Sequence, residues 1–320
     1  MTLFLKWSKI ASKFFDISQT VSKRSSHTTN LINKKIYIFG GEYIPRNPID
    51  NNLLVLDTVS NEWSSLADPS APIARMGHSS CSVGDNLYIF GGRTGVEMGE
   101  TSLNDLHSFN TFTKKWSLIH SDTDSEVYPS RRSYHTMTSQ GNKLYIFGGC
   151  SVKAGRLNDL YEFDIGSQKW TKLPSDESIV ARGGACLVSR DQCLYLIGGF
   201  CGHELDECFM FDLRENKWTQ IESLPRKLSV FACSSINSEN VQLVLHGGEV
   251  DPSTMGHNGA GEFSSDTYVY DGKQWKYIDL VEKPSSRGWH SSCSDENKFY
   301  IYGGNLENNE RTDELWCFEI

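Results

Sequence analysis

No run of 18 apolar residues occurs anywhere in the 320-residue chain, so no segment reads as a membrane-spanning helix. Basic residues are in deficit: 31 Lys and Arg against 40 Asp and Glu leave a net charge of −9. Nucleic acid and anionic membrane surfaces both demand a basic footprint, so neither is expected as a main partner. A secretory leader is not expected from the sequence pattern either. The opening MTLFLKWSKIASKFF is broken by Lys6, Lys9 and Lys13, and no small-residue cleavage site follows. The cysteines do not form an obvious pairing framework, being nine in number and irregularly spaced. Without a leader they read as reduced, mostly buried thiols of a cytoplasmic or nuclear protein. No nucleophile elbow, P-loop or dinucleotide fingerprint is present.

What is there supports a core. Apolar residues make up 38% of the chain and aromatics 12%, which excludes disorder. The dominant signal is a repeat. An apolar run ending in Gly-Gly occurs six times: IYIFGG, LYIFGG, LYIFGG, LYLIGG, LVLHGG and FYIYGG, with first glycines at 40, 91, 148, 198, 247 and 303. A period near 50 residues is that of kelch-type β-propeller repeats. Trp63, Trp116, Trp170, Trp218 and Trp275 follow the first five glycine pairs.

Each repeat therefore reads as four strands. Strand a opens with an R-x-x-H-type segment, and strand b ends in Gly-Gly. Strand c carries a D-x-apolar-x-apolar run, and strand d carries the Trp. A Cβ at the turn after strand b would clash or forbid a positive φ, which explains the glycines. The tryptophans are expected to pack between neighbouring blades. No Trp stands at strand-d spacing after the sixth glycine pair, and Trp7 has no glycine pair before it. The N-terminal strand is thus expected to complete the C-terminal blade and close the ring. The expected fold is all-β: one six-bladed kelch β-propeller spanning residues 1–320, needing no partner to hide its edges and so expected as a monomer. The connection over residues 8–23 is long, and its Phe14, Phe15 and Ile17 are expected to pack on the rim.

In such a blade the d-to-a and b-to-c connections share one face. The strand-a starts are RSSH, RMGH, RSYH, RGGA, RKLS (Arg226–Ser229) and RGWH. Their arginines are expected to ring the channel mouth. Arg24, Arg75, Arg93, Arg132, Arg182 and Arg287, with Trp289, are the candidate ligand-binding residues, since guanidinium forks suit sulfate, carboxylate or phosphate. The expected partner on this face is a protein segment or a small anionic ligand. His27, His78, His135 and His290 recur at equivalent places and are expected to make inter-strand hydrogen bonds rather than share a metal. Tyr134, Phe200, Phe231 and Trp289 offer apolar surface at the same face. Cys201, His203 and Cys208 match no zinc template, and Cys208 falls where a buried thiol is expected.

The longest b-to-c connection, GGEVDPSTMGHNGAGEFSSD, holds Glu249, Asp251 and His257 among glycines. Carboxylates and an imidazole in one loop are ligands of the kind that hold Fe(II). That loop, together with RSSH, GGR at 91–93, RGGA, RGW and ERTDELW, resembles the specifier proteins of glucosinolate breakdown. These are the nitrile-specifier, epithiospecifier and thiocyanate-forming kelch propellers. The resemblance implies non-redox Fe(II) chemistry on an unstable aglycone. It also implies a metal motif of Glu, Asp four residues on and His eight residues on. Glu249 and His257 match; Ser253 stands at the Asp position, and Asp251 lies two residues early. Arg93 and Trp289 stand at places resembling the family's substrate pocket. The departure at Ser253 points to the broader branch related to the specifiers. Two functions are therefore carried forward: a binding module presenting the arginine-ringed face, and an Fe(II)-dependent specifier-like lyase.

Overall fold

The computed structural model describes residues 5–14, 22–95, 102–121, 127–238, 240–256 and 259–320. Among these residues every regular element is a strand. Six antiparallel sheets stand around a central channel, and each runs a-b-c-d from the inside outward. Blade 2 shows the pattern: Ser79–Val83, Asn86–Arg93, Ser102–Asn110 and Lys115–His120. The molecule is a six-bladed β-propeller. No helix among the described residues is long and apolar enough to cross a membrane.

The ring closes as the tryptophan count requires. The strand Lys6–Lys9 pairs antiparallel with Leu315–Glu319, with Trp7 opposite Phe318. This supplies strand d of blade 6. The Trp7 indole is buried, lies 4.9 Å from the His246 ring of blade 5, and donates a 3.0 Å hydrogen bond to Thr267 Oγ1. The next residues add something not expected. Lys13–Phe14 runs parallel to Glu62–Trp63 as a fifth strand on the outer edge of blade 1. Phe14 packs into the seam between blades 6 and 1. Phe15 and Ile17 lie outside the described residues.

The other tryptophans do the same work at other seams. Trp116 of blade 2 meets Phe39 of blade 1 at 5.4 Å, Trp170 meets Phe90 at 5.4 Å, and Trp218 meets Phe147 at 5.7 Å. One large indole per seam buries apolar area from two blades at once, which sets their spacing. The glycine pairs sit nearer the channel. Gly40 has φ +64°, and a Cβ there would lie 2.4 Å from the Arg75 carbonyl oxygen and 2.7 Å from the His78 ring. Gly41 N–H donates to the same Arg75 carbonyl at 2.9 Å. The backbone of one blade therefore approaches the next too closely for any side chain.

A candidate ligand-binding cup at the channel mouth

The third residue of each strand-a start is the innermost point of the propeller. These residues are Ser26, Gly77, Tyr134, Gly184, Val230 and Trp289. All six have left-handed φ, between 47° and 60°. Their backbones form a closed circle of six hydrogen bonds. Gly77 N–H donates to Ser26, Tyr134 to Gly77, Gly184 to Tyr134, Val230 to Gly184, Trp289 to Val230 and Ser26 to Trp289, all at 2.7–3.0 Å. Holding non-glycine residues such as Val230 and Trp289 in this conformation costs about 1–3 kcal/mol each. The closed circle and the paired strands around it over-determine that conformation.

Blade 5 corrects the expected register. Its third residue is Val230, so its segment is Leu228–Phe231, not Arg226–Ser229. Leu228 offers the carbonyl that arginine offers elsewhere, accepting from Gly199 N–H at 2.9 Å. Arg226 lies outside the ring and pairs with Glu262 and Asp266, both at 3.5 Å.

The arginine ring is also corrected. Arg24, Arg75, Arg132, Arg182 and Arg287 are all 0% exposed. Each Nη1 donates to the carbonyl of the first glycine in its own blade, 16 residues on, at 2.8–3.2 Å. Each Nε donates two residues back, as from Arg75 to the Ile73 carbonyl at 3.1 Å. Carboxylates in strand c or just before it take the remaining donors: Asp105 on Arg75 (2.7 Å), Asp159 on Arg132 (2.6 Å), Glu207 on Arg182 (2.6 Å) and Glu314 on Arg287 (2.7 Å). Asp50 stands farther from Arg24, at 4.0 Å. Burial opposes the charge on Glu314, but hydrogen bonds from Lys9, Arg287 and Trp316 outweigh it and hold the carboxyl down at about 2. These guanidiniums staple the blades; they are not an open anion receptor. Arg93 is 1% exposed, with its guanidinium 6.0 Å from the Tyr134 ring and an Nη2 bond to the Gly95 carbonyl.

The histidines are likewise packing residues. Each lies edge-on against the ring that ends strand b of the preceding blade: His78 on Phe39, His135 on Phe90, His290 on His246 and His27 on Tyr302, at 5.3–5.8 Å. Burial is the main cause that lowers their pKa values, to about 3 for His78 and His290. His78 meets Thr28 Oγ1 at 2.9 Å and His290 meets the His246 carbonyl at 3.1 Å.

The cup is lined by Tyr134, Phe200, Trp289 and Glu249, all singled out in the sequence, and by further positions that were not. The residue after each Gly-Gly pairs back onto the second residue of its strand-a start. Glu42 faces Ser25, Arg93 faces Met76, Cys150 faces Ser133, Phe200 faces Gly183, Glu249 faces Ser229 and Asn305 faces Gly288. The residues after Gly-Gly, Arg93 excepted, line a cavity of about 150 Å³ together with Tyr134, Val230, Trp289, Arg156 and Arg311. Tyr134 and Trp289 meet edge-on at 5.4 Å. Arg156 is exposed on the strand opposite Cys150, its guanidinium 4.8 Å from the Phe200 ring. Arg311 is 4% exposed and donates to Ser25 and Asn309. Gly183 and Gly184 leave the floor open on the blade 4 side.

The iron-type residues divide. Glu249 is in the cup wall. Burial, then the neighbouring Glu204 and Asp251, push its carboxyl up to about 7 against backbone hydrogen bonds from Gly261 and Ser253. Asp251 is exposed on the same short strand, opposite Glu262. His257 lies outside the described residues. Among the described residues no three His, Cys, Asp or Glu side chains come close enough to hold an ion. Cys201 and His203 touch at 3.8 Å on an outer hairpin, while Cys208 is buried in strand c with its thiol pushed up to about 12.

Fold and site together define a β-propeller with a cup at one end of its channel. Residues 26–248 match the KLHDC2/KLHL20/DRC7 Kelch-repeats domain. An N-(sulfonatooxy)prop-2-enimidothioate sulfolyase of Thlaspi arvense is 30% identical over all of this chain and 98% of its own length. Kelch domain-containing protein 3 of Rattus norvegicus is 28% identical over 62% of this chain, which spans 54% of that protein. The leucine-zipper-like transcriptional regulator 1 homolog of Drosophila melanogaster is 25% identical over 93% of the chain, but only 31% of its own length is matched. The solved structure of YjhT superposes with a TM-score of 0.75 at 22% identity, covering 92% of this chain and 95% of that one. The chain belongs to the kelch-repeat β-propeller family, and within it to the specifier-like group.

Proposed function

We propose that this propeller is a small-ligand binding module, and that its ligand has an apolar body and one anionic group. The observation that carries this is the convergence of Tyr134, Phe200 and Trp289 with the exposed guanidinium of Arg156 around one cavity. Aromatic walls with one placed charge are the usual makeup of a specific small-molecule pocket. Arg156 is set apart from the stapling arginines because, among the described residues, no carboxylate stands within ion-pair distance of it and it is exposed at the rim. A guanidinium over an aromatic face can hold a sulfate or carboxylate by a forked hydrogen bond while the ring covers its back. The protein works as a monomer in the cytoplasm under this reading. Calorimetric titration with benzyl sulfate tests it. Binding that weakens at least about tenfold in Trp289→Ala, the cost of about 1.4 kcal/mol of contact, supports the cup. Equal affinity in wild type and variant rejects it.

A second reading rests on the full-length similarity to the Thlaspi arvense sulfolyase. In it the same cup acts on a sulfated thioimidate, with the sulfate leaving against Arg156. Among the described residues Glu249 is the one iron-type residue in the wall, and the described donors do not complete a three-ligand set. A myrosinase-coupled product assay with added Fe(II) decides this reading: nitrile formation lost in Glu249→Ala and His257→Ala supports it, and isothiocyanate alone rejects it.

A further inference from the structure

We propose that Cys186 and Cys233 form an oxidisable dithiol, a disulfide site that joins blade 4 to blade 5 beneath the cup. The inner strands of successive blades are stitched by polar side chains along the channel. Asn30 donates to Ser80 between blades 1 and 2. Ser139 donates to the Ser82 carbonyl between blades 2 and 3, and Ser189 to the Ser139 carbonyl between blades 3 and 4. Ser234 meets Ser292 at 3.0 Å between blades 5 and 6, and Thr29 meets Ser291 between blades 6 and 1.

At the seam between blades 4 and 5 the channel-side stitch is made of thiols. Cys186 Sγ lies 3.5 Å from the Cys233 carbonyl oxygen, and its side chain stands beside the Cys233 thiol. Arg190 crosses the same seam farther down, to the Ile236 carbonyl. The repeat gives an internal check on the geometry. Counted from the strand-a start, Cys186 and Cys233 hold the same places in successive blades as Ser291 and Thr29, whose hydroxyls touch. The fold therefore brings this pair of positions into side-chain contact by its own pseudo-symmetry.

Access also fits. Both thiols line the central channel, a cavity of about 360 Å³, where Cys186 is half-buried and Cys233 buried. The oxidant is a peroxide. The Cys186 thiolate attacks one oxygen of hydrogen peroxide, breaking the O–O bond to give a sulfenic acid and hydroxide, which takes up the thiol's proton as water. The Cys233 thiol then displaces the sulfenic hydroxyl as a second water, forming the S–S bond. Two thiols lose two electrons, and one peroxide gains them. The bond falls two residues from Gly184 and three from Val230, both in the cup floor. Oxidation would thus fix the seam that carries the floor.

The test treats the folded full chain with hydrogen peroxide, alkylates it under denaturing conditions and maps the peptides. The expected result is a single linked peptide pair carrying residues 186 and 233, about 2 Da lighter than the two reduced peptides and released by dithiothreitol. Cys186→Ser and Cys233→Ser should each abolish that linkage. Serine at 186 reproduces the Ser291 arrangement, so the variant keeps the seam. The oxidised wild type should melt at a higher temperature than the reduced form, with no such rise in Cys186→Ser. A linkage between any other cysteines, or recovery of both residues as alkylated thiols, overturns the proposal.

Discussion

Tyr134 and Trp289 meet edge-on across the channel mouth with ring centroids 5.4 Å apart, each held at a left-handed φ of 56° and 60° by the same circle of backbone hydrogen bonds. Their blades are not neighbours along that circle; Gly184 and Val230 come between them. Gly184 carries no side chain, so the two rings wall one side of a cup instead of filling it. The six-fold scaffold is thus broken to make a site, by one tyrosine, one tryptophan and two glycines at equivalent positions.

Removing a stapling arginine should damage stability and leave the cup alone. Arg75 is fully buried, with two hydrogen bonds to Asp105 and one to the Gly91 carbonyl. Arg75→Ala leaves Asp105 buried without its main counter-charge, at a cost of about 3–5 kcal/mol. Urea denaturation should show that loss. A change under about 1 kcal/mol would mean that the pair behaves as a surface salt bridge.

The N-terminal closing strand should matter as much as a core strand. Trp7 is 1% exposed and packs between His246 and Phe318. Trp7→Ala should cost about 3–5 kcal/mol. Limited proteolysis of that variant should cut first at the outer edge of blade 6. Wild-type resistance there would contradict closure by this strand.

Acid should unfold the protein through its histidines. His78 and His290 are neutral in the fold, with pKa values held by burial at about 3, and an unfolded histidine titrates near 6.5. The unfolded state therefore binds more protons below pH 6.5, and stability falls as pH falls from about 6.5 towards 3, by about 1.4 kcal/mol per pH unit for each. Phe231 fills the equivalent place in blade 5, so His78→Phe should fold. Its stability-against-pH slope should be shallower by about that amount between pH 6 and 4. An unchanged slope would show that His78 is not held neutral.

Glu249 works in the opposite sense. Burial first, and Glu204 second, raise its carboxyl to about 7 in the fold. The unfolded chain releases that proton nearer 4.3, so stability is full below about pH 4 and declines as pH rises to about 7. Glu249→Gln removes the decline and should stabilise the protein at pH 8 by about 4 kcal/mol at most. Thermal melts at pH 5 and pH 8 check this: the variant should gain only at the higher pH.

The fold was legible because six copies of one pattern over-determine it. Gly-Gly spacing gave the blades, and the stray Trp7 gave the closure. The site was less legible because recurrence marks a position without saying which way a side chain points. The five arginines recur because each ties strand a to strand b of its own blade, reaching a glycine carbonyl 16 residues on. In blade 5 the hairpin between strands a and b is longer, that spacing fails, and Arg226 was a decoy two residues early. The cup residues are those that do not recur. Glu42, Cys150, Phe200, Glu249 and Asn305 all follow Gly-Gly, and their variation at a fixed place was the signal available. Arg156 had no signal, because only the b–c hairpin of blade 3 brings it over Phe200.

The most direct test of the account crosses two arginines in one experiment: melting temperature and benzyl sulfate affinity, measured side by side in Arg156→Ala and Arg75→Ala. Arg156→Ala should keep its melting temperature and lose affinity at least about tenfold. Arg75→Ala should melt lower and, below its transition, bind as the wild type does. Affinity lost in Arg75→Ala and kept in Arg156→Ala would return the ligand to the arginine ring and contradict the cup.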